Sequence, residues 1–270
     1  MTDLAYLPGL AATGKRWRFP PALVGWLLPA ALVAVWEAAS RAGLVAPNHL
    51  PAPSAVALTL WRLALSGDLA AHLTATLVRV ALGFLLGAAA GTLAGAATGA
   101  APTLRRLVDP LIQGLRSVPS IAWIPLFILW LGIFEASKVA LIAVGVFFPV
   151  YLNLMSGIAG VDRKLIEVGR AHRLGTLALV RRVLLPAALP AYIVGLRGGL
   201  GLGWMFVAAA ELMGASEGLG FLLVDGQQTG RPATVMAAIL LFAVLGKLSD
   251  LALARIGRTV TAWQDTEDAR

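Results

Sequence analysis

The chain has 270 residues, of which 59% are hydrophobic and 13% charged, and its mean hydropathy is +0.81. A soluble domain could not cover so much apolar surface, so this composition predicts a protein that lies in a lipid bilayer. The net charge of +8 could suit nucleic acid, but the basic residues are scattered over several loops without interleaved aromatic residues, which argues against a nucleic-acid partner. With no cysteine and three histidines far apart in the sequence, neither a disulfide nor a metal site is predicted.

Six apolar windows approach the roughly 20 residues that a helix needs to cross a bilayer. They are residues 23–39, 77–98, 118–134, 139–158, 192–213 and 234–253. The predicted fold is therefore all-α, a polytopic membrane protein with six transmembrane helices. A single transmembrane domain over residues 22–257 is expected between an N-terminal tail, residues 1–21, and a C-terminal tail, residues 258–270.

The distribution of Lys and Arg predicts how these helices are oriented. Basic residues crowd the side that holds both tails and the loop between the fourth and fifth windows. Outside the windows, the opposite side holds only Arg41, Arg62, Lys138 and Arg231. Because basic loops next to spans stay in the cytoplasm, both termini and that loop are predicted to be cytoplasmic, in a multi-pass protein of the cell inner (plasma) membrane.

The segment between the first two windows predicts a short helix at the outer surface. Residues 47–67 begin with prolines, then offer Ser54 as an N-cap and apolar residues at near-helical spacing before Gly67. An amphipathic helix over residues 54–66 is expected, lying along the membrane surface.

Glycines repeat every four residues along the second window, at Gly83, Gly87, Gly91 and Gly95. Small residues at this spacing form a stripe on one side of a helix, where another helix backbone can approach closely. Because glycine has no side chain for recognition, the stripe predicts helix packing and not a ligand site.

Prolines fall inside the third and fourth windows, at Pro119, Pro125 and Pro149. Each removes a backbone donor and favours a kink, which is tolerated where neighbouring helices or water satisfy the freed carbonyl. Kinked helices suit a transport pathway, but simple curvature for packing explains the prolines equally well.

Ionisable groups inside spans are costly and mark candidate residues of the substrate pathway, here Arg116, Arg197 and Glu211. Arg197 lies one turn into the fifth window and Arg116 just before the third, so either could contact substrate in a pathway, form a structural pair, or extend to the headgroups. Glu211 is expected to pair with a cation or to cap a loop. Lys247 and Asp250 are interpreted as marking the inner end of the sixth window.

Catalytic motifs are nearly absent. Residues 9–15 have the spacing of a phosphate-binding loop, but Arg16 stands where a magnesium-binding Ser or Thr is required, and no strand precedes it. With no other nucleotide or hydrolase motif, the chain is predicted not to be an enzyme and to bind no cofactor itself.

The loop between the fourth and fifth windows, LIEVGRAHRLGTLALVRRVLLPAALP over residues 165–190, has a basic helix-turn-helix pattern. Residues 167–175, continued to Pro186, resemble the EAA signature of the inner-membrane permease subunits of ATP-binding-cassette (ABC) importers. LPAPSAV from Leu50, LRSVPSIAWIPLFILWLGI from Leu115, VDRKLIEVGR from Val161 and LGKLSD from Leu245 are similar to the aliphatic sulfonate permeases. Taurine, nitrate and bicarbonate permeases share much of this pattern, and the common permease core corresponds to about residues 70–254.

The resemblance implies that transport, ATP hydrolysis and substrate delivery are carried out by different subunits. Two permease copies, a homodimer, would form the pathway, two cytoplasmic ATPase subunits would bind and hydrolyse ATP with magnesium, and an external binding protein would deliver the substrate, a small anion. The loop would carry a coupling helix that docks on the ATPase. The docking residues that the resemblance implies are Glu167, Gly169, Arg170, Ala171, Arg173 and Gly175.

One departure from the signature leaves the position of the turn open. Arg173 stands where the family has a glycine, and Gly175 follows two residues later. An alternative function also stays open at this point, a self-contained secondary transporter driven by an ion gradient. Such folds show duplicated halves and acidic residues at the bilayer midplane, for which the sequence offers little support.

Overall fold

The computed structural model describes residues 21–263, apart from the side chains of residues 21–24, 26 and 120. Every regular element in this range is helical, which confirms the all-α prediction. The helices are α1 Pro21–Arg41, α2 Pro53–Ser66, α3 Asp68–Ala100, α4 Pro102–Ser117, α5 Ile124–Leu131, α6 Glu135–Ala159, α7 Arg163–Ala171, α8 Thr176–Leu179, α9 Leu185–Leu212, α10 Leu219–Gln228 and α11 Pro232–Val260. A 3₁₀ turn at Ser120–Trp123 precedes α5, and a π-helical turn at Val180–Leu184 joins α8 to α9. The phosphate-loop spacing of residues 9–15 and most of the two predicted tails lie outside the described residues.

Four helices of the described range are long and apolar enough to cross a membrane, and a fifth crossing results if α4 and α5 are one broken span. The four are α3, α6, the continuous helix Thr176–Leu212, and α11. They contain the second, fourth, fifth and sixth predicted windows, while α1 covers the first. The prediction of several apolar spans is therefore confirmed, at four to five candidates.

The third window, residues 118–134, is wrong as a single helix. Between Pro102–Ser117 and residues 121–131 the chain bends by 90°. The reason is Pro119, because a residue before proline is pushed out of the helical region, and Val118 is indeed extended, with φ −74° and ψ 123°. Helix resumes at Ile124, where Pro125 lies in the first turn and its missing N–H leaves no hydrogen bond unmade.

α6 forms the centre of the core, with α3 packed on one side and α9 on the other. Ile142 and Val146 of α6 are fully buried against Leu200 and Val207 of α9. The four predicted packing glycines, Gly83, Gly87, Gly91 and Gly95, all lie on the side of α3 that faces α6. A Cβ atom at Gly87 would overlap the carbonyl oxygen of Ala143, so the two backbones can approach this closely only because the residue is glycine.

α2 ends at Gly67 as predicted, with a left-handed backbone at φ 84°, but Ser54 does not cap it. The N-cap is Ala52, because Pro53 occupies the first helical position, which suits a residue without an N–H. Ser54 instead donates from its backbone N–H and its hydroxyl to the Glu37 carboxylate, at 3.0 and 2.8 Å. These bonds join α2 to α1.

The helix of the fifth window begins at Thr176, well before the predicted start at residue 192. The window starts late because charged residues and two prolines interrupt the apolar run. Pro186 falls in the first turn of α9, directly after the π-helical turn. A π-helical turn already departs from the regular hydrogen-bond pattern, so the missing N–H of Pro186 does not end the helix there. The segment from Thr176 and the helix of the fifth window therefore form one continuous helix that ends at Leu212.

Candidate functional site

Residues 160–184, between α6 and α9, form a basic loop built as the sequence predicted, from a helix, a turn and a second helix. Asp162 is the N-cap of α7, and its side chain accepts a hydrogen bond of 2.9 Å from the N–H of Lys164. One turn further on, the guanidinium of Arg163 lies 3.6 Å from the carboxylate of Glu167. α7 is therefore stabilised by local bonds, and its Ile166 also packs against the buried cluster that includes Ile158 of α6 and Ala188 of α9.

The turn of the basic loop falls at Arg173. Its φ of 55° is left-handed, and it is the one non-glycine residue with positive φ in the described part of the chain. The N–H of Arg173 donates to the Arg170 carbonyl at 2.8 Å, and the N–H of Leu174 donates to the Gly169 carbonyl at 3.2 Å. These two bonds define a Schellman motif, in which the left-handed residue is usually glycine. The turn therefore stays at the glycine position of the signature, with Arg173 adopting the conformation at a cost of roughly 1–2 kcal/mol.

Gly169 faces the interior of the basic loop. A Cβ atom there would lie 2.5 Å from Cδ1 of Leu179 and 3.4 Å from Cγ2 of Val183, so glycine lets α7 pack against the second half of the loop. The other predicted docking residues are exposed: Glu167, Arg170, Ala171, Arg173 and Gly175. The solvent-facing surface of the loop is thus charged and accessible. Gly169 is buried on the opposite side of α7, where the two halves of the loop pack together.

An apolar groove of about 620 Å³ lies beside the basic loop. Its walls include Leu165 and Val168 of α7, Pro186 of α9 and Trp263 after α11. Leu177, on the same loop, is 82% exposed. Apolar side chains left open next to a charged surface are typical of a protein-binding face.

A buried polar cluster joins α3, α6 and α9 near the end of α6 that is remote from the basic loop. Arg79 donates to the carboxylates of Glu211 and Glu135, each at 2.8 Å. The Glu211 carboxylate also accepts bonds of 2.8 Å from the hydroxyl of Thr76 and from the N–H of Gly220 at the start of α10. Glu211 therefore both pairs with a cation and holds a loop, as predicted, and its side chain has 0% exposure.

Neither Arg79 nor Glu135 was predicted to have a role from the sequence. Arg79 lies inside the second apolar window. A charged residue within a span is expected to have a buried partner, and this was the signal that could have identified it. Glu135 stands at the start of α6, where a carboxylate is usually explained by the helix dipole alone. Their pairing joins residues 56 apart in the chain, which no local pattern reveals.

Arg197 lies near the middle of the helix Thr176–Leu212, further from the start of the helix than the predicted window indicated. The helix begins already at Thr176, and a Cβ at the neighbouring Gly198 would lie 3.7 Å from Pro149, near the middle of α6. Asp250, which the sequence placed at the inner end of the sixth window, has a partner on the neighbouring helix. Arg197 donates to both carboxylate oxygens of Asp250, at 2.8 and 2.9 Å. This open pair, Arg197–Asp250, faces outward, with side-chain exposures of 44% and 31%.

The structure does not bring the three predicted pathway residues into one site. Arg116 is exposed in the last turn of α4, 3.4 Å from the side-chain oxygen of Gln113, while Arg197 and Glu211 each have other partners. Arg116 lies two residues before Val118, where the helix is interrupted. Within residues 21–263 no group of His, Asp or Glu side chains is arranged to hold a metal ion.

Comparisons with known proteins agree on one family. Residues 83–262 match the family described as binding-protein-dependent transport system inner membrane component. A putative aliphatic sulfonates transport permease protein of Bacillus subtilis (strain 168) is 43% identical over 242 residues, covering 90% of this chain and 88% of the relative. Its counterpart in Escherichia coli (strain K12) is 42% identical over 256 residues, covering 94% and 96%.

More distant similarity extends to other transporters. A taurine transport system permease protein of Escherichia coli (strain K12) is 34% identical over 258 residues, covering 92% of this chain and 93% of the relative. A solved structure of the MetNI methionine ABC transporter in an inward-facing conformation matches with a TM-score of 0.59 at 25% identity, covering 75% of this chain and 97% of that one. The family match, these relatives and the shared fold have one explanation: the chain belongs to the binding-protein-dependent family of inner-membrane permease components of ABC transporters.

Proposed function

We propose that this permease carries aliphatic sulfonates into the cell. The observation that carries the proposal is the degree of similarity: relatives named for aliphatic sulfonates are 42–43% identical over nearly the full length of both chains. The taurine permease is 34% identical, and a nitrate import permease is 30% identical over 66% of this chain. Taurine, nitrate and bicarbonate are the alternative substrates.

The proposed topology has six spans with both termini in the cytoplasm. α1 would be the first span, α4 with α5 the broken third one, and the transmembrane domain would extend over residues 22–257. The low number of Lys and Arg residues on the opposite side supports this orientation. α11 continues to Val260, so the last helix would reach slightly beyond the span.

The basic loop would dock on a cytoplasmic ATPase subunit, which binds and hydrolyses ATP with magnesium. Its exposed residues Glu167, Arg170 and Arg173 offer charges of both signs, and the neighbouring groove offers apolar contacts. The second half of the loop, from Thr176, is continuous with the helix to Leu212, and α7 packs on it at Gly169, so a displacement of the loop would be transmitted into the membrane. This chain would contribute transport and coupling, and its partner the hydrolysis.

Two copies of the chain would enclose the pathway, with an external binding protein delivering the substrate. Two surfaces that lipid cannot cover support this arrangement. The break at residues 118–119 leaves Ile121 61% exposed close to non-helical backbone, and the open pair exposes charges at mid-span level. Non-helical backbone and charges at membrane depth are tolerated only against protein or a water-filled cavity.

Substrate choice can be tested by growth. A strain that lacks this chain should lose growth on alkanesulfonates as sole sulfur source and keep growth on nitrate as sole nitrogen source, and the restored gene should reverse the loss. The opposite pattern would refute the sulfonate proposal.

Docking can be tested by reversing one exposed charge. Glu167→Arg should uncouple the transporter, so that reconstituted vesicles hydrolyse ATP but lose ATP-driven uptake, because the loop no longer follows the ATPase. Arg258→Glu, an exposed charge reversal near the end of α11, is the matched control and should leave coupling intact. Coupled uptake by the Glu167 variant would refute the docking assignment, and uptake by the purified chain without an ATPase would favour a secondary transporter.

A further inference from the structure

The open pair is an unusual arrangement for two charges in the middle of membrane helices. Arg197 lies at the level of Pro149, and Gly199, two residues further along α9, packs against Val146, so the pair lies near the midpoint of α6. A charged pair at that depth is expected to be enclosed by protein. Here it stands at the surface of the chain, where a second copy or a water-filled pathway must adjoin it.

Arg197 has hydrogen-bonding capacity beyond this pair. A guanidinium carries five N–H donors, of which Asp250 receives one from Nε and one from Nη2. Within the described residues, no hydrogen bond from Nη1 of Arg197 is formed. The adjoining surface is open, since a Cβ atom at Gly201, one turn along α9, would meet nothing within 4 Å.

The local charge favours an anion. Lys247 is exposed and lies three residues before Asp250, which places both on the same side of α11. This side of the chain therefore carries two cationic side chains and one carboxylate.

The backbone next to Asp250 is held in place. The indole N–H of Trp204 on α9 donates to the hydroxyl of Ser249 at 2.8 Å, which joins α11 to α9 one residue before Asp250. The Asp250 carboxylate can consequently leave Arg197 by side-chain rotation alone, without separating the two helices.

We propose that Arg197 contacts the anionic head group of the transported substrate, and that Asp250 occupies the same donors when no anion is bound. This inference rests on the proposed function, since it takes this face to line the pathway for a small sulfonate. A sulfonate presents several oxygens to the planar fork of a guanidinium and can accept two parallel N–H bonds, as the Asp250 carboxylate does. The carboxylate acts as an internal competitor, which lets the anion bind and then leave.

The test measures uptake by the complete transporter, with its ATPase and binding protein, in proteoliposomes supplied with ethanesulfonate. Asp250→Asn should lower the KM for uptake about tenfold, the equivalent of one charge-assisted hydrogen bond, because the competitor is gone. Maximal uptake should not rise, since release becomes slower. Arg197→Gln should raise KM.

The double variant Arg197→Gln with Asp250→Asn separates binding from structure. If the pair only stabilises the fold, neutralising both partners should restore the wild-type KM. If Arg197 contacts the anion, KM should stay raised. Asp225→Asn is the matched control, because the Asp225–Arg231 pair has the same 2.8 Å separation elsewhere in the chain, and its KM should equal that of the wild type.

Two outcomes would overturn the inference: an unchanged or raised KM in Asp250→Asn, or a wild-type KM in the double variant. Asp250→Ala repeats the charge removal where the Asn variant fails to assemble. The wild-type transporter is also measured with taurine and nitrate. Uptake of nitrate but not of ethanesulfonate would refute the sulfonate proposal alone, and the variants would then be compared with nitrate.

Discussion

Two arginine–carboxylate pairs with the same 2.8 Å separation stand in the spans of this protein, and they differ in what covers them. Arg79 and Glu211 are enclosed by their own chain, with Glu211 at 0% side-chain exposure. Arg197 and Asp250 are open, at 44% and 31%. The buried pair has its charges satisfied within one chain and therefore belongs to the fold. The open pair is only partly covered by its own chain, so we expect it to contact a second copy of the chain or the contents of the pathway.

The partners of each pair agree with this distinction. Glu211 accepts further bonds from Thr76 and from the N–H of Gly220, so its charge is fully compensated when the chain is folded. Arg197 retains unused donors toward an open surface. Three substitutions test the comparison, from the largest expected effect on stability to the smallest.

The largest effect is expected for Glu211→Gln. Removing this charge leaves Arg79 buried with one carboxylate partner fewer, which should lower the free energy of unfolding by about 3–5 kcal/mol. Thermal unfolding of the purified chain in detergent measures the change. Glu217→Gln is the control, because Glu217 is exposed and contributes only its backbone carbonyl to Arg79. Equal melting temperatures for the two variants would show that the cluster does not stabilise the fold.

An intermediate effect is expected for Gly87→Ala. The added methyl group would overlap the Ala143 carbonyl and push α3 from α6, at a cost of about 1–3 kcal/mol. Gly201→Ala makes the same change on the open face, where it meets nothing within 4 Å, and should leave the isolated chain equally stable or slightly more so. The same unfolding measurement applies to both variants. If both variants lost similar amounts of unfolding free energy, the surface at Gly201 would have to be covered by other residues of the same chain.

The smallest effect is expected for Asp250→Asn. Both partners of this pair are partly exposed, so its loss should change the free energy of unfolding by less than about 1 kcal/mol. The unfolding transition of the isolated chain measures it beside that of Glu211→Gln. A loss as large as that of the Glu211 variant would remove the distinction between the two pairs.

The sequence predicted most features that depend on neighbouring residues. The glycine repeat of α3, the end of α2 at Gly67 and the helix-turn-helix form of the basic loop all follow from local spacing. It failed where a residue's partner is distant in the chain: Arg79 and Glu211 are 132 positions apart, and Arg197 and Asp250 are 53 apart. It also failed at prolines, because Pro119 breaks a span whereas Pro186 is accommodated beside a π-helical turn.

The continuous helix from Thr176 to Leu212 has a mechanical consequence. Its far end is clamped at Glu211, about 52 Å from Thr176, and Arg197 lies about 21 Å from that clamp. A helix held at one end swings as a lever, so a sideways stroke at the basic loop would reach Arg197 reduced to about two-fifths of its size. The displacement at Arg197 would be smaller than at the loop, and the force there would be correspondingly larger.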